Sequence, residues 1–464
     1  MKVLLINPWQ DTKYPQPPLG LAMISAALEK NGYHVKVLDA PALKLTENSI
    51  LNAVLREKPD IIGITAMTPT MNSAIKMARQ IKEMHNDVII VLGGAHVTLF
   101  PEETLQRVPE ADIVVRGEGE QTMVELVKTL ENGDSVNSQV LGVTYREKNC
   151  IRNSPARQFI SDLDSLPFPA FHLLPMTRYR LHPPHGRRMP SIPIITSRGC
   201  PYRCIYCSKS VFGKQYRANS PTYVVDEIER LMDKFNVREV TFYDDVFTLD
   251  KKRVFAICEE LERRRIRIPW TCETRVNLVN EELIEKMKKA GCYMIAYGVE
   301  SGSQKILNNI KKDITLEQAI RAFELTHKIG VQTIAYFMIG SPGETPETIE
   351  RTIKFANKLD PDFVQFSTAT PFPGTEFFNL AIKEGIMSED WDDYIYAGLR
   401  STNYPAFVTS TLNKADLKKW DIQAYRSCYL RPHYFFKRIK KIRSFSEVKT
   451  SVEGLLMLLE MTRE

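Results

Sequence analysis

Eight residues in the middle of the chain decide its fold class: Cys200-Pro-Tyr-Arg-Cys204-Ile-Tyr-Cys207. The three thiols are close enough in sequence for one loop to present all of them to the same small object. A cubane iron–sulfur cluster normally takes one thiolate for each iron. Three thiolates therefore leave one iron open to another ligand, as catalytic metal sites keep a position for substrate.

A structural zinc knuckle is the alternative explanation of this loop, with His182 or His185 as the fourth ligand. Zinc sites usually consist of two separated pairs of Cys or His residues. No second pair follows the loop in the sequence. The spacing therefore favours an iron–sulfur cluster over zinc.

Composition limits the class of protein. A chain of 464 residues exceeds one ordinary domain, and we expect two or three. Hydrophobic residues make up 43% and charged residues 25%, which is typical of a soluble globular protein, and no apolar run is long enough to span a membrane. Eight cysteines, three of them clustered, predict a reduced cytoplasmic protein without a disulfide framework. The net charge of +6 is too small to indicate a nucleic-acid partner.

The N-terminal part of the chain alternates short apolar runs with helical stretches, of which Leu19–Lys30 is the first. The predicted strands are Val3–Asn7, His34–Asp39, Ile61–Thr65, Val88–Leu92 and Ile113–Arg116. This alternation predicts an α/β domain over residues 1–135, with a doubly wound, five-stranded parallel sheet of the Rossmann-like type. Such sheets bind ligands beyond the carboxyl ends of their strands. The first loop lacks a glycine-rich phosphate fingerprint, which disfavours a nicotinamide cofactor but leaves a flavin open.

The rest of the chain divides into three further segments. Residues 136–190 are rich in proline and predict a linker with a hairpin formed by Val140–Tyr145 and Gln158–Ile160. Over residues 191–375, six more strand–helix units predict a partial parallel barrel, (β/α)6, with its chemistry at the carboxyl ends of the strands. The predicted strands are Ile192–Thr196, Glu239–Tyr243, Trp270–Glu273, Met294–Gly298, Gln332–Ile339 and Asp362–Ser367.

Residues 376–464 predict a helical C-terminal region. Its basic run, Arg431–Arg443, is interleaved with aromatic residues. Such a run is ordinarily a solvated helix face. The alternative is a surface for an anionic substrate, or for a membrane that presents a lipid substrate.

The cluster loop has the form Cys-x-x-x-Cys-x-aromatic-Cys, which resembles the signature of the radical S-adenosylmethionine enzymes. Three N-terminal segments, Pro17–Gly20, Thr65–Thr70 and Gly93–Thr98, resemble the cobalamin-binding half of the cobalamin-dependent members of that family. The resemblance implies a 4Fe-4S cluster, S-adenosylmethionine and cobalamin as cofactors. It also implies an external electron donor such as flavodoxin or ferredoxin. The loop that begins at Asn7 lacks the histidine that coordinates cobalt in cobalamin mutases, so we expect no protein imidazole below the corrin.

The same resemblance assigns residues to each cofactor. The cluster ligands are Cys200, Cys204 and Cys207. The residues expected at S-adenosylmethionine are Tyr206, Asp244, Asp245, Arg275, Glu300, Ser301, Phe337 and Gly340. Those expected at cobalamin are Leu19, Gly20, Thr65, Thr68, Gly93, Gly94, His96, Gly117 and Glu118.

Specific roles follow from the family. Asp244 and Asp245 are expected to hydrogen-bond the methionyl ammonium, and Arg275 to pair with the methionyl carboxylate. Phe337 and Gly340, together with the backbone at Tyr206, are expected to flank the adenine. Glu300 and Ser301 are candidates for the ribose hydroxyls or the ammonium, whereas Glu344, just before a helix, is expected to cap that helix.

The sequence leaves several functions open, and a C-methyltransferase acting on an unactivated carbon is the first. The second is an anaerobic oxidative cyclase of the magnesium-protoporphyrin monomethyl ester type, because Tyr429–Pro432 loosely resembles segments of such cyclases and of hopanoid methylases. A non-catalytic cobalamin or iron–sulfur sensor is the alternative from another class. A methylthiotransferase would need three N-terminal cysteines, and residues 1–149 contain none. The sequence leaves open whether the substrate is a small molecule or a lipid.

Overall fold

The computed structural model describes residues 1–148, 150–181, 186–387, 412–434 and 437. The first part of the chain forms a seven-stranded sheet in the order β2-β1-β3-β4-β5-β6-β7. Its strands are β1 (Lys2–Asn7), β2 (His34–Asp39), β3 (Ile61–Thr65), β4 (Ile89–Gly93), β5 (Ile113–Val115), β6 (Val143–Glu147) and β7 (Cys150–Asn153). Its helices are α1 (Leu19–Lys30), α2 (Ala40–Leu43), α3 (Glu47–Glu57), α4 (Met71–Met84), α5 (Ala95–Leu99), α6 (Pro101–Arg107) and α7 (Glu120–Glu131).

Strands β1 to β5 are parallel, as predicted, and β6 and β7 add an antiparallel edge to the same sheet. The predicted hairpin is therefore wrong in its second strand, which is Cys150–Asn153 and not Gln158–Ile160. The chain can reverse this early because Lys148 adopts a positive φ of 55°, a conformation that two-residue hairpin loops require.

Both faces of this sheet are covered, which explains its continuous apolar strands. Within β1, Val3 and Leu5 face the core that continues into the second half of the molecule. Leu4 and Ile6 face a separate core under α3 and α4. The carboxyl ends of β1, β3, β4 and β5 thus lie at an edge bordered by the second sheet.

The second half forms the predicted partial barrel, a six-stranded sheet of parallel strands in the order β15-β14-β13-β12-β11-β8. The strands are β8 (Ser191–Ile194), β11 (Glu239–Phe242), β12 (Trp270–Thr274), β13 (Cys292–Glu300), β14 (Gln332–Ile339) and β15 (Phe363–Thr368). A small antiparallel pair, β9 (Ser197–Arg198) and β10 (Arg217–Ala218), encloses the cysteine loop. The helices are α8 (Pro221–Phe235), α9 (Lys251–Arg263), α10 (Glu281–Lys289), α11 (Gln304–Asn309), α12 (Leu316–Ile329), α13 (Pro346–Leu359), α14 (Glu376–Lys383) and α15 (Lys414–Tyr429).

Helix α15 covers the free edge of the barrel. The hydroxyl of Tyr425 bonds the backbone N–H and C=O of Phe366 at 3.1 and 3.0 Å, and that of Tyr429 bonds those of Val364 at 2.9 and 2.7 Å. Two tyrosine hydroxyls thereby satisfy backbone groups that an open strand edge would leave unpaired.

Some sequence predictions fall on parts that the structure does not describe. His182 and His185 lie outside the described residues, as does most of the basic run Arg431–Arg443. Within the described residues, no helix is both long and apolar enough to cross a membrane.

Candidate functional site

The cysteine loop is held at its base by a glycine. Gly199 has a φ of +85°, and a Cβ there would overlap the carbonyl oxygen of Gln215 on the returning strand. Further along, the backbone N–H of Ile205 donates to the carbonyl of Ile310 at 3.1 Å, and the Ile205 carbonyl accepts from Phe377 N at 3.0 Å. The loop is therefore tied to the second half of the molecule directly after Cys204.

The three thiols are electrostatic neighbours. Desolvation raises the pKa of Cys200, and the proximity of Cys204 adds to the rise. The pKa of Cys207 is raised to about 11, first by desolvation and then by the charges of Asp245 and of the other two thiols. Bound iron would offset this cost by stabilising the thiolates. In the described ranges, no three His, Cys, Asp or Glu side chains lie close enough together to bind one metal ion. Thiols that each bind a different iron of a cluster can lie further apart than that.

Arg275, which follows β12, braces the cysteine loop from the barrel. Its guanidinium lies 3.7 Å from the centroid of the Tyr202 ring, and Nη1 is 3.6 Å from Cys204 Sγ. Nη2 donates to the backbone carbonyls of Lys312 and Asp313. This buried guanidinium takes the nearest backbone acceptors, and its predicted pairing with a methionyl carboxylate stays a prediction.

Asp244 is bonded to the turn before the cysteine loop, and its predicted contact with the methionyl ammonium stays a prediction. Its carboxylate is 2% exposed and accepts bonds from Thr196 N at 2.5 Å, Thr196 Oγ1 at 2.7 Å and Ser197 N at 3.1 Å. Because these donors occupy the carboxylate, Asp244 orients the turn that leads into the cysteine loop. Asp245 is exposed and lies close enough for its charge to raise the pKa of Cys207; its predicted contact with the methionyl ammonium stays a prediction.

Glu300 ends β13 with a positive φ of 70° and forms a buried ion pair with Lys312, Oε1 to Nζ 2.8 Å. The same ammonium lies 3.3 Å from the Tyr206 hydroxyl, so the pair reaches the cysteine loop. Lys312 was not predicted from the sequence, where it is one lysine in an unremarkable turn. Ser301 is fully buried and bonds Thr352 Oγ1 at 3.1 Å, and its predicted contact with the ribose or the ammonium stays a prediction.

Two further predictions concern the end of β14. Phe337 is 1% exposed and stacks on Phe366 at 5.4 Å, on the helix-covered face of the sheet, and its predicted place at the adenine stays a prediction. Glu344 does not cap the following helix, because Thr345 does. Glu344 Oε2 instead accepts from Gly340 N at 2.6 Å and Ser341 N at 3.0 Å, and burial raises its pKa to about 7.

A cavity of about 530 Å³ lies at the carboxyl edge of the N-terminal sheet. Ile195, Val211 and Phe212 from the barrel half close its far side. The residues predicted for cobalamin that line this cavity are Leu19, Gly20, Thr65, Gly93, Gly94, Gly117 and Glu118.

Glycines make room for a bulky ligand in this cavity. A Cβ at Gly20 or Gly117 would meet no atom within 4 Å, and one at Gly93 would meet only the Val115 carbonyl at 3.9 Å. Gly94 differs, since its φ is +112° and a Cβ would lie 2.7 Å from the Ala66 carbonyl oxygen. Three glycines keep space open and the fourth allows the backbone turn, which fits a large cofactor such as cobalamin.

Thr68 and His96 do not line the cavity. They lie behind it, both buried, with Thr68 Oγ1 3.1 Å from His96 Nδ1. Burial lowers the pKa of His96 to about 4, which keeps the imidazole neutral. Their side chains bond each other inside the domain, and their predicted contact with cobalamin stays a prediction.

Glu118 lines the cavity but its carboxylate is bound by the barrel half. It contacts Arg198 at 2.7 Å and Arg217 at 2.8 Å, and Arg198 also binds Glu120 at 2.6 Å. These four side chains, here called the ion cluster, are 3–6% exposed where they pair. Arg198 immediately precedes Gly199, so the ion cluster joins the cavity wall to the start of the cysteine loop.

Comparison with known proteins agrees with this division. The B12 binding domain family matches residues 10–127, and the Radical SAM superfamily matches residues 194–356. An uncharacterized methyltransferase of Pyrococcus horikoshii is 38% identical, with 98% of each chain covered. An anaerobic magnesium-protoporphyrin IX monomethyl ester cyclase of Rubrivivax gelatinosus is 34% identical over 96% of this chain and 81% of its own length.

A solved structure shares the fold across both halves. The cobalamin-dependent S-adenosylmethionine radical enzyme OxsB, with aqua-cobalamin and S-adenosylmethionine bound, matches with a TM-score of 0.76 and 19% identity. The match covers 99% of this chain and 71% of that chain.

Proposed function

The chain belongs to the cobalamin-dependent radical S-adenosylmethionine enzymes, and on that premise we propose that it transfers a methyl group to an unactivated carbon. Its cofactors are a 4Fe-4S cluster, S-adenosylmethionine and cobalamin. When bound, they supply a carbon radical on the substrate and the methyl group that this carbon receives. The observation that carries the proposal is the shared wall: Ile195, which follows the first barrel strand, lines the N-terminal cavity together with Val211 and Phe212 of the cysteine loop.

The residues of the chain divide the work between the two halves. We propose that residues 1–135 hold cobalamin over the open glycines, and that residues 191–375 hold the cluster through Cys200, Cys204 and Cys207. Arg275 keeps a fixed positive charge beside Cys204 Sγ. The Glu300–Lys312 pair and the exposed Asp245 provide the polar groups at the strand ends that would orient the amino-acid part of S-adenosylmethionine.

The relative from Pyrococcus horikoshii, called a methyltransferase, supports methyl transfer. The cyclase from Rubrivivax gelatinosus supports an oxidative cyclisation as the second candidate function. Both candidates use the same cofactors. They differ in whether the methyl group of S-adenosylmethionine is consumed. An electron donor such as flavodoxin or ferredoxin stays a prediction for either.

The test is anaerobic reconstitution with iron, sulfide and hydroxocobalamin, followed by reductant and S-adenosylmethionine carrying a deuterated methyl group. Mass spectrometry then follows the products. Deoxyadenosine together with S-adenosylhomocysteine, and a deuterated methyl group on a carbon of the product, is the expected result. Deoxyadenosine without S-adenosylhomocysteine, with corrinoid bound, would contradict methyl transfer and favour the cyclase.

A further inference from the structure

We propose that the concave face of the barrel contains an amine-binding subsite formed by Glu273, Tyr243 and Tyr336, and hence that the substrate carries a protonated amine. This inference rests on the proposed function, because it concerns the molecule that receives the methyl group. It is carried by which side chains face the inside of the barrel and by what lies beneath them. It is also carried by a carboxylate there that no Lys, Arg or His side chain accompanies in the part of the chain that the structure describes.

The inner face is identified by alternation along β15. Val364 and Phe366 are buried in the core that also contains the outer helices. Gln365 and Ser367 alternate with these residues along the strand and are exposed. They lie on the face of the sheet opposite to the one that the helices cover. The concave side of the barrel is therefore open above β15, as a substrate site requires.

The base of the barrel is closed. Met294, Ala296 and Ile334 form a small apolar cluster on the inner face, with Phe363 and Tyr336 packed against it. Beneath this cluster Tyr293 donates to Glu239 at 2.7 Å, and Arg187 lies 4.2 Å from the centroid of the Tyr293 ring. Among the described residues, these side chains close the base, so the strand ends are the side from which a ligand would enter.

Glu273 sits directly above this floor. The Tyr336 hydroxyl donates to Glu273 Oε1 at 3.1 Å, across strand β13. The side chains can meet because the residues that pair with them on β13 are small: Ala296 beside Glu273 and Gly298 beside Tyr336. Tyr243 follows β11 and lies on the other side of Glu273, close enough for the Glu273 charge to raise its pKa.

The carboxylate of Glu273 differs from the other inner carboxylates in its partners. Glu300 has Lys312 at 2.8 Å, and Glu239 lies near the charge of Arg187. In the ranges that the structure describes, no Lys, Arg or His side chain pairs with Glu273, and burial raises its pKa. A cation supplied by a ligand would restore the charged form of this group.

An ammonium group fits this arrangement better than a neutral hydroxyl does. It has three donors and no acceptor, which matches a carboxylate, and its charge is attracted to the faces of aromatic rings. Tyr243 and Tyr336 provide two such rings. The Tyr243 hydroxyl also hydrogen-bonds Gln16, which lines the 530 Å³ cavity, so the subsite lies beside the cobalamin half.

The test compares an amine with its neutral analogue on reconstituted holoenzyme. Calorimetric titration with n-hexylamine and with 1-hexanol is expected to show at least about tenfold tighter binding of the amine at pH 7. Glu273→Gln is expected to remove that preference, and Tyr336→Phe, which loses only a hydroxyl, to reduce the amine affinity a few-fold. Tyr297→Phe is the matched control, because Tyr297 bonds Thr326 at 2.8 Å on the outer face of the same barrel. It is expected to bind like the wild type.

The inference is overturned if 1-hexanol binds as tightly as the amine, or if Glu273→Gln binds the amine as the wild type does. Failure of the proposed function has a different signature. Amine preference that depends on Glu273, with no S-adenosylhomocysteine formed under any condition, would support the subsite and reject methyl transfer. Methyl transfer that Glu273→Gln leaves unchanged would reject the subsite and support the function.

Discussion

The glycine-lined cavity of the N-terminal half presents backbone and apolar side chains, whereas the mouth of the barrel presents charged side chains that are already bonded to other groups of the protein. In the cavity, Gly20 and Gly117 leave space that a side chain would fill. At the barrel mouth, Asp244 and Arg275 use their polar atoms to hold loops in place. The comparison indicates that the first region binds by shape, and that the second region binds by positioning a few groups precisely.

The largest expected effect is at the barrel mouth. Cys204→Ala removes one of three thiolates, so the cluster should not form and both its absorbance and the cleavage of S-adenosylmethionine should be lost. Cys150→Ala is the control, since Cys150 is an exposed thiol on β7, and it should keep both. A reconstituted Cys204→Ala protein that still cleaves S-adenosylmethionine would remove the basis for distinguishing the two regions.

The second effect tests the connection between the regions. Glu118→Gln leaves Arg198 and Arg217 buried with one carboxylate fewer, which is expected to cost about 3–5 kcal/mol in the free energy of unfolding. Urea denaturation of the wild type and of each variant measures the change in the free energy of unfolding. Glu125→Gln is the matched control: Glu125 also binds an arginine, Arg157, but its side chain is 46% exposed, and about 1 kcal/mol or less is expected. Equal losses in the free energy of unfolding of Glu118→Gln and Glu125→Gln would show that the ion cluster stabilises the protein no more than an exposed ion pair does.

The third effect concerns the cavity alone. Gly94→Ala combines a positive φ with a contact to the Ala66 carbonyl, so we expect a loss of about 1–3 kcal/mol and weaker retention of hydroxocobalamin on gel filtration. The cluster absorbance should not change. Gly133→Ala separates the two causes, because its φ is +77° but a Cβ there meets nothing within 4 Å. If both variants release corrinoid equally, shape is not what binds it.

The smallest effect is a pH dependence at the end of β14. The pKa of Glu344 is raised to about 7 in the folded protein, so folding favours its protonated form. The resulting stability is present below pH 4.5 and is lost as the pH rises through 7. Glu344→Gln is therefore expected to gain stability relative to the wild type between pH 5 and pH 8 in thermal unfolding. Glu347→Gln, an exposed residue in the first turn of α13, should follow the wild-type profile.

Much of the fold could be predicted because periodicity determines it. The helix Leu19–Lys30 and the strand Gln332–Ile339 have the bounds predicted for them. The hairpin could not be placed by pattern, since β7 is short and largely polar and a positive φ at Lys148 sets its start. The partners that Asp244 and Phe337 have within the protein could not be predicted either. A side chain at a strand end can face either side of the sheet. A shift of one residue along the strand moves the side chain from the barrel interior to the helix layer.

The sequence by itself determined the cysteine loop, the two halves and the glycines of the cavity, because these depend on local spacing and on residues without a side chain. Only the tertiary structure decided which polar groups are already paired with another group of the protein. Glu118 was predicted at cobalamin, yet it is bound to Arg198 and Arg217, which lie 80 and 99 residues away in the chain. Lys312 and Glu273 acquire their significance in the same way. A buried charge must find a partner, and that partner is chosen by proximity in space, which no short stretch of sequence contains.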